Sequence, residues 1–189
     1  MKKWSEIRQG IINKLFMDEE EVNSENENYA SKFAFFANEC LVNIANGVKP
    51  RIAVFNVETD KDNTEQQMPD DFLSFADMVN YLDNVADPII VHITDKTIML
   101  PKKGSYKIFY NALWEPITED YMNDQEQPDL PIDQSVLNCI PSYVAAQILA
   151  EDDVQRSTIL KNEYELMLSR LDTNIMYQSN SFKSIGGWY

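Results

Sequence analysis

Residues 130–171 read LPIDQSVLNCIPSYVAAQILAEDDVQRSTILKNEYELMLSRL and carry two apolar stripes at helical spacing. The first stripe consists of Leu137, Ile140, Val144 and Ile148, and the second of Leu160, Tyr164, Met167, Leu168 and Leu171. The acidic residues 151–153 separate the stripes, and three residues are enough for a tight connection between two helices. Because each stripe must be covered by another surface, we predict an antiparallel helical hairpin, with one long kinked helix as the alternative.

Two residues in this region predict details of the hairpin. Asp133 is a candidate N-cap, because its carboxylate can accept hydrogen bonds from the unpaired N–H groups of the first helical turn. Pro141 lies inside the first stripe and removes one backbone hydrogen bond, which predicts a kink at that point.

Two further helices are predicted before Pro50. The apolar residues of 4–16 recur at helical spacing, with Ser5 as a possible cap. Residues 29–46 repeat the pattern, and Asn46 with Gly47 is typical of a left-handed C-cap. These helices and the hairpin are expected to close one bundle, because neither pair alone can bury its apolar stripes.

After Pro50 the apolar period changes from near 3.6 residues to 2, which is typical of strands. Strands are predicted at 51–58, 73–82, 88–94, 97–100 and 105–113. Residues 73–82 are ambiguous between a short helix and a strand, and we favour the strand. The last strand would place Tyr106, Ile108 and Tyr110 on one face. Residues 59–67 are polar and charged, so we predict a surface loop there.

The predicted fold class is α+β, with a helical bundle formed by N-terminal and C-terminal helices and an inserted antiparallel β-sheet subdomain. The predicted organisation is a bundle of residues 1–49 and 130–171, a β-rich insertion at 50–114, an acidic connector at 115–129 and an extended C-terminal tail at 172–189.

The net charge limits the possible partners. The chain has 31 acidic and 16 basic residues, a formal charge of −15. Binding nucleic acid by neutralising phosphates needs clustered Lys and Arg, so the composition argues against it. An acidic surface suits a protein that meets basic partners or lines a passage to which DNA must not stick, and simple solubility explains it equally well. No apolar run reaches the ~20 residues of a membrane span, so we expect no membrane partner.

The sequence carries no recognisable catalytic pattern. Cys40 and Cys139 each lie in an apolar helical pattern, which predicts buried, reduced thiols, with a disulfide between them as the alternative. His92 is the single histidine and has no second ligand at metal-binding spacing. Pairs of carboxylates arise by chance among 31 acidic residues. We therefore expect no catalytic residues, no cofactor, no metal and no enzymatic activity.

Two segments together resemble the C-terminal helical hairpin of tailed-bacteriophage head-to-tail connector proteins, also called adaptor or head-completion proteins. They are IPSYVAAQILAEDDV at 140–154 and LKNEYELMLSRL at 160–171. In that family an apolar helix with Tyr-Val-Ala-Ala precedes an acidic turn and a helix of the Asn-Glu-Tyr-Glu type. Shorter segments with the same likeness are MPDDF at 68–72, GSYKIFY at 104–110, PITED at 116–120 and SFKSIGGWY at 181–189.

The resemblance implies a non-enzymatic structural virion protein of the neck region, made in the host bacterial cytoplasm. It would form a homo-oligomeric ring, typically a dodecamer, between the portal protein and the tail or neck proteins. DNA would pass through the ring without specific binding. The aromatic tail would dock on the adjacent subunit or the portal, where Trp and Tyr give large contact area at low entropy cost. Its candidate contact residues are Phe182, Ile185, Gly186, Gly187, Trp188 and Tyr189.

Two alternatives come from other functional classes. The first is an acidic protein-binding module or DNA-mimic inhibitor of a basic protein, which salt-sensitive binding to a nuclease or repressor would favour. The second is an enzyme with a carboxylate site, which would need a bound divalent ion.

Overall fold

The computed structural model describes residues 2–16, 27–82, 85–87, 93–94, 96–122 and 128–176. The helices within these residues are α1 (Trp4–Leu15), α2 (Glu27–Gly47), α3 (Glu119–Met122), α4 (Gln134–Leu137), α5 (Ile140–Ile148) and α6 (Val154–Met176). The strands are β1 (Arg51–Thr59), β2 (Thr64–Gln67), β3 (Phe72–Leu82), β4 (Val85–Asp87), β5 (Ile93–Thr94), β6 (Thr97–Leu100) and β7 (Gly104–Ala112). The protein is therefore α+β, and the predicted fold class is confirmed.

The chain divides into two units, a helical unit of residues 1–49 with 115–189 and a sheet unit of Pro50–Trp114. Among the helices that the structure describes, none combines the length and the apolar composition that a membrane span requires.

Helix α5 is the central element of the helical unit, because α1, α2 and α6 all pack against it. Its buried residues are Ile140, Ser142, Tyr143, Val144, Ala145 and Ala146. A helix that is apolar on nearly all sides is stable only inside a core. Gly10 allows α1 to approach closely, because a Cβ atom at this position would lie only 3.1 Å from Cγ of Pro141.

The predicted helical hairpin is confirmed, since α5 and α6 run antiparallel. Next to their connection, the Oγ of Ser157 donates to the carbonyl of Ala146 at 2.8 Å. Further from the connection, the rings of Tyr143 and Tyr164 lie 4.9 Å apart between centroids. The two helices therefore pack against each other, and Tyr164 of the second predicted stripe takes part in the contact.

The N-cap prediction is confirmed, whereas the position of the break near Pro141 is corrected. The carboxylate of Asp133 accepts a hydrogen bond from the N–H of Ser135 at 2.8 Å. The helix breaks at Asn138 and Cys139, and Pro141 lies in the first turn of the next helix, α5. Proline is favoured in a first turn because an N–H at that position has no intrahelical acceptor.

Two predicted caps are wrong. Ser5 lies inside α1 and does not precede it. Gly47 is the last residue of α2, and its φ is not in the left-handed region. The helix ends without a left-handed residue there because the N–H groups of Val48 and Lys49 both donate to the carbonyl of Ile44.

Two segments predicted to be extended contain helix. Helix α3 forms one turn within the acidic connector 115–129. Helix α6 continues to Met176, so residues 172–176 are helical and do not belong to an extended tail. Residues 123–127 and 177–189 lie outside the described residues.

The sheet unit contains two antiparallel sheets among the described residues, with strand orders β1-β7-β3-β4 and β2-β6-β5. The strands predicted at 51–58, 73–82, 97–100 and 105–113 are confirmed. The loop predicted at 59–67 is partly wrong, because Thr64–Gln67 forms β2 and pairs with β6. The strand predicted at 88–94 is described only at Ile93 and Thr94, and its other residues, His92 included, lie outside the described residues.

Strand β7 carries the buried face of the larger sheet. It pairs with β1 from Ala112 opposite Arg51 to Gly104 opposite Thr59. The face predicted to be apolar is buried, and the core of the unit consists of Val57, Met68, Phe72, Ile98, Leu100, Tyr106, Ile108, Tyr110 and Ala112. The period-2 pattern therefore predicted correctly which residues face the core.

Replacing Ser142 by alanine is expected to raise the free energy of unfolding by about 1 kcal/mol. The Oγ of Ser142 is fully buried and has no hydrogen-bond partner among the described residues, so removing it relieves a desolvation cost. Urea unfolding followed by circular dichroism measures the change. The matched control is Ser157→Ala, which deletes the hydrogen bond to Ala146 and should destabilise by a similar amount. Equal effects of the two substitutions would contradict the assignment.

Asp133 is expected to stabilise the fold in a pH-dependent way. Its Oδ2 lies 2.7 Å from Nζ of Lys49. The hydrogen bond from Lys49, followed by that from Ser135, lowers the pKa of Asp133 from its ordinary 3.8 to about 2. Because the folded-state pKa is the lower one, this stabilisation is complete above about pH 4 and is lost as the pH falls towards 2.

Asp133→Ala is expected to lower the free energy of unfolding by about 1 kcal/mol at pH 7, chiefly through the lost cap. The ion pair adds little, since Asp133 is exposed and the pair is screened. Asp133→Asn keeps an acceptor for the cap, so it should be milder at pH 7. Both variants should lose less stability than the wild type between pH 4 and pH 2, as measured by urea unfolding at each pH. An unchanged acid sensitivity in Asp133→Asn would show that this carboxylate has no such role.

Candidate functional site

The contact residues predicted in the C-terminal tail lie outside the described residues. They are Phe182, Ile185, Gly186, Gly187, Trp188 and Tyr189. The candidate site in the described residues is therefore built from the surface of the helical unit. Its exposed large apolar side chains include Phe16, Phe35, Val42, Val154, Ile159 and Leu166.

Helix α2 presents two of these side chains on one line, here called the α2 stripe. Phe35 is 66% exposed and Val42 is 44% exposed, seven residues further along the helix. Seven residues are close to two full turns, so both side chains point in nearly the same direction. The ring of Phe35 contacts that of Phe36 edge to face, with centroids 5.4 Å apart. This contact holds the exposed ring in place beside a half-buried one.

Helix α6 presents a second line, here called the α6 stripe. Ile159 is 66% exposed and Leu166, again seven residues later, is 54% exposed. The buried residues of the same helix, Leu160, Tyr164 and Leu171, lie on another face. Neither stripe was predicted from the sequence. The seven-residue spacing within each pair is visible there, but it becomes informative only once the buried faces of the two helices are known.

The helical hairpin contains a cleft of about 230 Å³, here called the α5–α6 cleft. Its lining includes Tyr143, Ala146, Gln147, Lys161, Tyr164 and Glu165. The two tyrosine rings and Ala146 are buried at its base, whereas the polar and charged side chains are exposed at its mouth. Two small residues, Ala146 of α5 and Ala150 just after its end, line the cleft together with Tyr164 of α6 and leave space that larger side chains would fill.

The base of the cleft is connected to α2 through a small group of polar atoms. The Nδ2 of Asn43 donates to the hydroxyl of Tyr143 at 3.0 Å. Burial is the main cause that raises the pKa of Tyr143 to about 12. Burial also raises the pKa of Tyr164, by a larger amount, and the neighbouring Cys40 is the second cause of that shift. Both phenols therefore remain protonated at neutral pH and act as hydrogen-bonding groups.

The two cysteines are buried free thiols, as predicted. Burial raises the pKa of Cys139 to about 11 and raises that of Cys40 still more. Because the thiolate is the nucleophilic form, these thiols are poorly suited to covalent catalysis at neutral pH. Within the described residues, no group of three or more His, Cys, Asp and Glu side chains could hold a metal ion.

The sheet unit contains a polar cluster at the ends of β1 and β7. Asp71 accepts from the guanidinium of Arg51 at 2.6 Å and from the hydroxyl of Tyr110 at 2.9 Å. Arg51 also donates through Nε to the carbonyl of Leu113 at 3.3 Å. Burial and the neighbouring Asp71 raise the pKa of Tyr110. The groups of this cluster satisfy one another, which is typical of a structural role.

The fold and these surfaces define an α+β protein that presents two exposed apolar stripes and one aromatic cleft on its helical unit. No known family model matches the chain, and no curated protein matches it.

Proposed function

We propose that this protein is a non-enzymatic structural component of a tailed-phage virion, a head-to-tail connector that forms a homo-oligomeric ring. The ring would lie in the neck, between the portal protein and the tail or neck proteins, and would extend the DNA channel. A dodecamer is the copy number that the family resemblance implies. The starting point of the proposal is the likeness of 140–154 and 160–171 to the connector hairpin.

The observation that carries the proposal beyond this likeness is the presence of two different apolar stripes on one unit. A closed ring uses a heterologous interface, in which one patch of each copy contacts a different patch of the next. The α2 stripe and the α6 stripe are such a pair of different patches. Exposed apolar side chains are ordinary when scattered singly. The alignment of each pair on one side of its helix is what makes the two stripes candidate contact surfaces.

The net charge of the helical unit is compatible with a channel protein. The helical unit, residues 1–49 with 115–189, has 21 acidic and 10 basic residues, a formal charge of −11. A negative surface repels DNA phosphates, and each retained phosphate contact would slow passage through a channel. In this proposal the acidic surface would prevent binding of the DNA that passes through the ring.

Coexpression with the portal and tail proteins of the same phage, followed by electron microscopy, tests the proposal. We expect a ring bound beneath the portal, and little or no ring from the isolated protein at low concentration. A protein that stays monomeric beside its portal would contradict the proposal. Salt-sensitive capture of a nuclease or repressor without any ring would favour the DNA-mimic alternative instead.

A further inference from the structure

The α5–α6 cleft has the size and lining of a site for one aromatic side chain. A buried apolar cavity of about 150 Å³ holds benzene, so the cleft volume of about 230 Å³ leaves room for the larger indole ring. The rings of Tyr143 and Tyr164 offer edges and faces for aromatic packing. At the mouth, Glu165 can accept a hydrogen bond from an indole N–H.

The chain itself contains an occupant of this chemistry. Residues 177–189 follow α6, one of the two helices that line the cleft, and include Phe182, Ile185, Trp188 and Tyr189. Trp188 is the largest of these and carries the single N–H donor that the mouth of the cleft can use. Two glycines, Gly186 and Gly187, precede it and permit the chain to turn.

The length of chain after α6 decides which side chain can reach the cleft. Lys161 precedes Met176 by 15 residues, which is about 22 Å along a helix. Glu165, the lining residue nearest to Met176, precedes it by 11 residues, about 16.5 Å along the helix. Phe182 follows Met176 by six residues and reaches at most about 20 Å, so even fully extended it reaches only this near end of the cleft and leaves little length for the turn. Trp188 follows by twelve residues and reaches up to about 40 Å, which spans the return path with slack to turn.

We propose that the indole of Trp188 occupies the α5–α6 cleft of its own chain. A short tether gives the indole an effective concentration in the millimolar range, far above the micromolar concentration of other copies in solution. Docking within the chain therefore dominates over docking between copies in the free protein. This inference concerns the free protein and goes beyond the proposed connector function, in which the tail would dock on the adjacent subunit or the portal.

Disulfide trapping in the full chain tests the inference. Gly187→Cys with Lys161→Cys places one thiol beside Trp188 and one at the mouth of the cleft. The native Cys40 and Cys139 are buried, so they do not compete. Under mild oxidation we expect an intrachain disulfide, seen as a faster monomer band on a non-reducing gel. Such a bond forms only when the two Cα atoms come within about 7 Å.

The matched control is Gly187→Cys with Leu166→Cys. Leu166 is closer to Met176 than Lys161 is, so random collisions of the tail with α6 would favour the control pair. Leu166 lies about 140° away from Lys161 around α6, so docking in the cleft would favour the Lys161 pair. We expect the Lys161 pair to react at least about tenfold faster, the ratio that about 1.4 kcal/mol of docking energy produces. Adding Trp188→Ala to the Lys161 pair should remove this advantage. Equal rates for the two pairs, an advantage that persists in Trp188→Ala, or disulfide-linked dimers instead of monomers would each overturn the inference.

Discussion

Replacing Phe33 by alanine is expected to lower the free energy of unfolding of the helical unit by about 3–5 kcal/mol. Phe33 lies in α2 with none of its surface exposed, and its ring is one of the largest fully buried side chains described. Removing the ring gives up the free energy that the folded protein gains by moving it from water into the core. It also leaves a cavity that the packed helices fill only partly. Because most domains are stable by only about 5–15 kcal/mol, the helical transition should shift strongly in urea unfolding.

Phe35→Ala is the matched control for Phe33→Ala. Both substitutions remove the same ring from the same helix, but Phe35 is largely exposed. We expect a change within about 0.5 kcal/mol for this variant, as for most surface substitutions. If Phe33→Ala were as mild as Phe35→Ala, the assignment of the core face of α2 would be wrong.

The double variant Phe35→Ser with Leu166→Ser is expected to fold normally and to lose ring formation. In the proposed ring, each of these side chains would sit in a desolvated contact between copies, where truncation costs about 2 kcal/mol or more. Two such losses weaken association on the order of a thousandfold. Coexpression with the portal followed by size-exclusion chromatography with light scattering measures the outcome.

Val154→Ser is the matched control for the ring. Val154 is exposed on α6 but lies about 140° around the helix from Ile159, outside the α6 stripe. It should leave ring formation unchanged. A ring that survives the double variant would remove the stripes from the proposed interface, and a ring lost equally in the control would mean that the effect is not specific to them.

Much of the fold was predictable because secondary structure follows local periodicity. The two stripes of 130–171 predicted the hairpin, and the alternation in 105–113 predicted the buried face of β7. The N-cap at Asp133 was predictable for the same reason, since capping depends on a carboxylate and on N–H groups two residues away.

The errors have two sources, a pairing partner distant in sequence and local backbone hydrogen bonding that composition does not reveal. Thr64–Gln67 has the composition of a loop, yet it becomes a strand because β6 offers a ladder of backbone groups for it to pair with. Pro141 was expected to kink a helix, but two short helices form instead and place it where proline is tolerated. Gly47 keeps the helical conformation, because the two following N–H groups both bond to the carbonyl of Ile44.

The candidate site was predictable only in part. The aromatic segment 181–189 is visible in the sequence because its composition is unusual after a polar stretch. The α5–α6 cleft was not visible, because a cleft depends on which small side chains meet the tyrosine of another helix. The stripes at Phe35 and Leu166 look like further core residues until the buried faces of α2 and α6 are known.

The sequence by itself determined the helices and strands, the apolar face of each and the acidic character of the chain. These properties depend on residues within a few positions of one another, so the local pattern is sufficient. Only the tertiary structure decided that α5 lies at the centre of the helical unit, that a cleft opens beside Tyr164 and that two apolar pairs remain exposed. Such features depend on which faces meet in space, and non-local packing, not sequence spacing, chooses those partners.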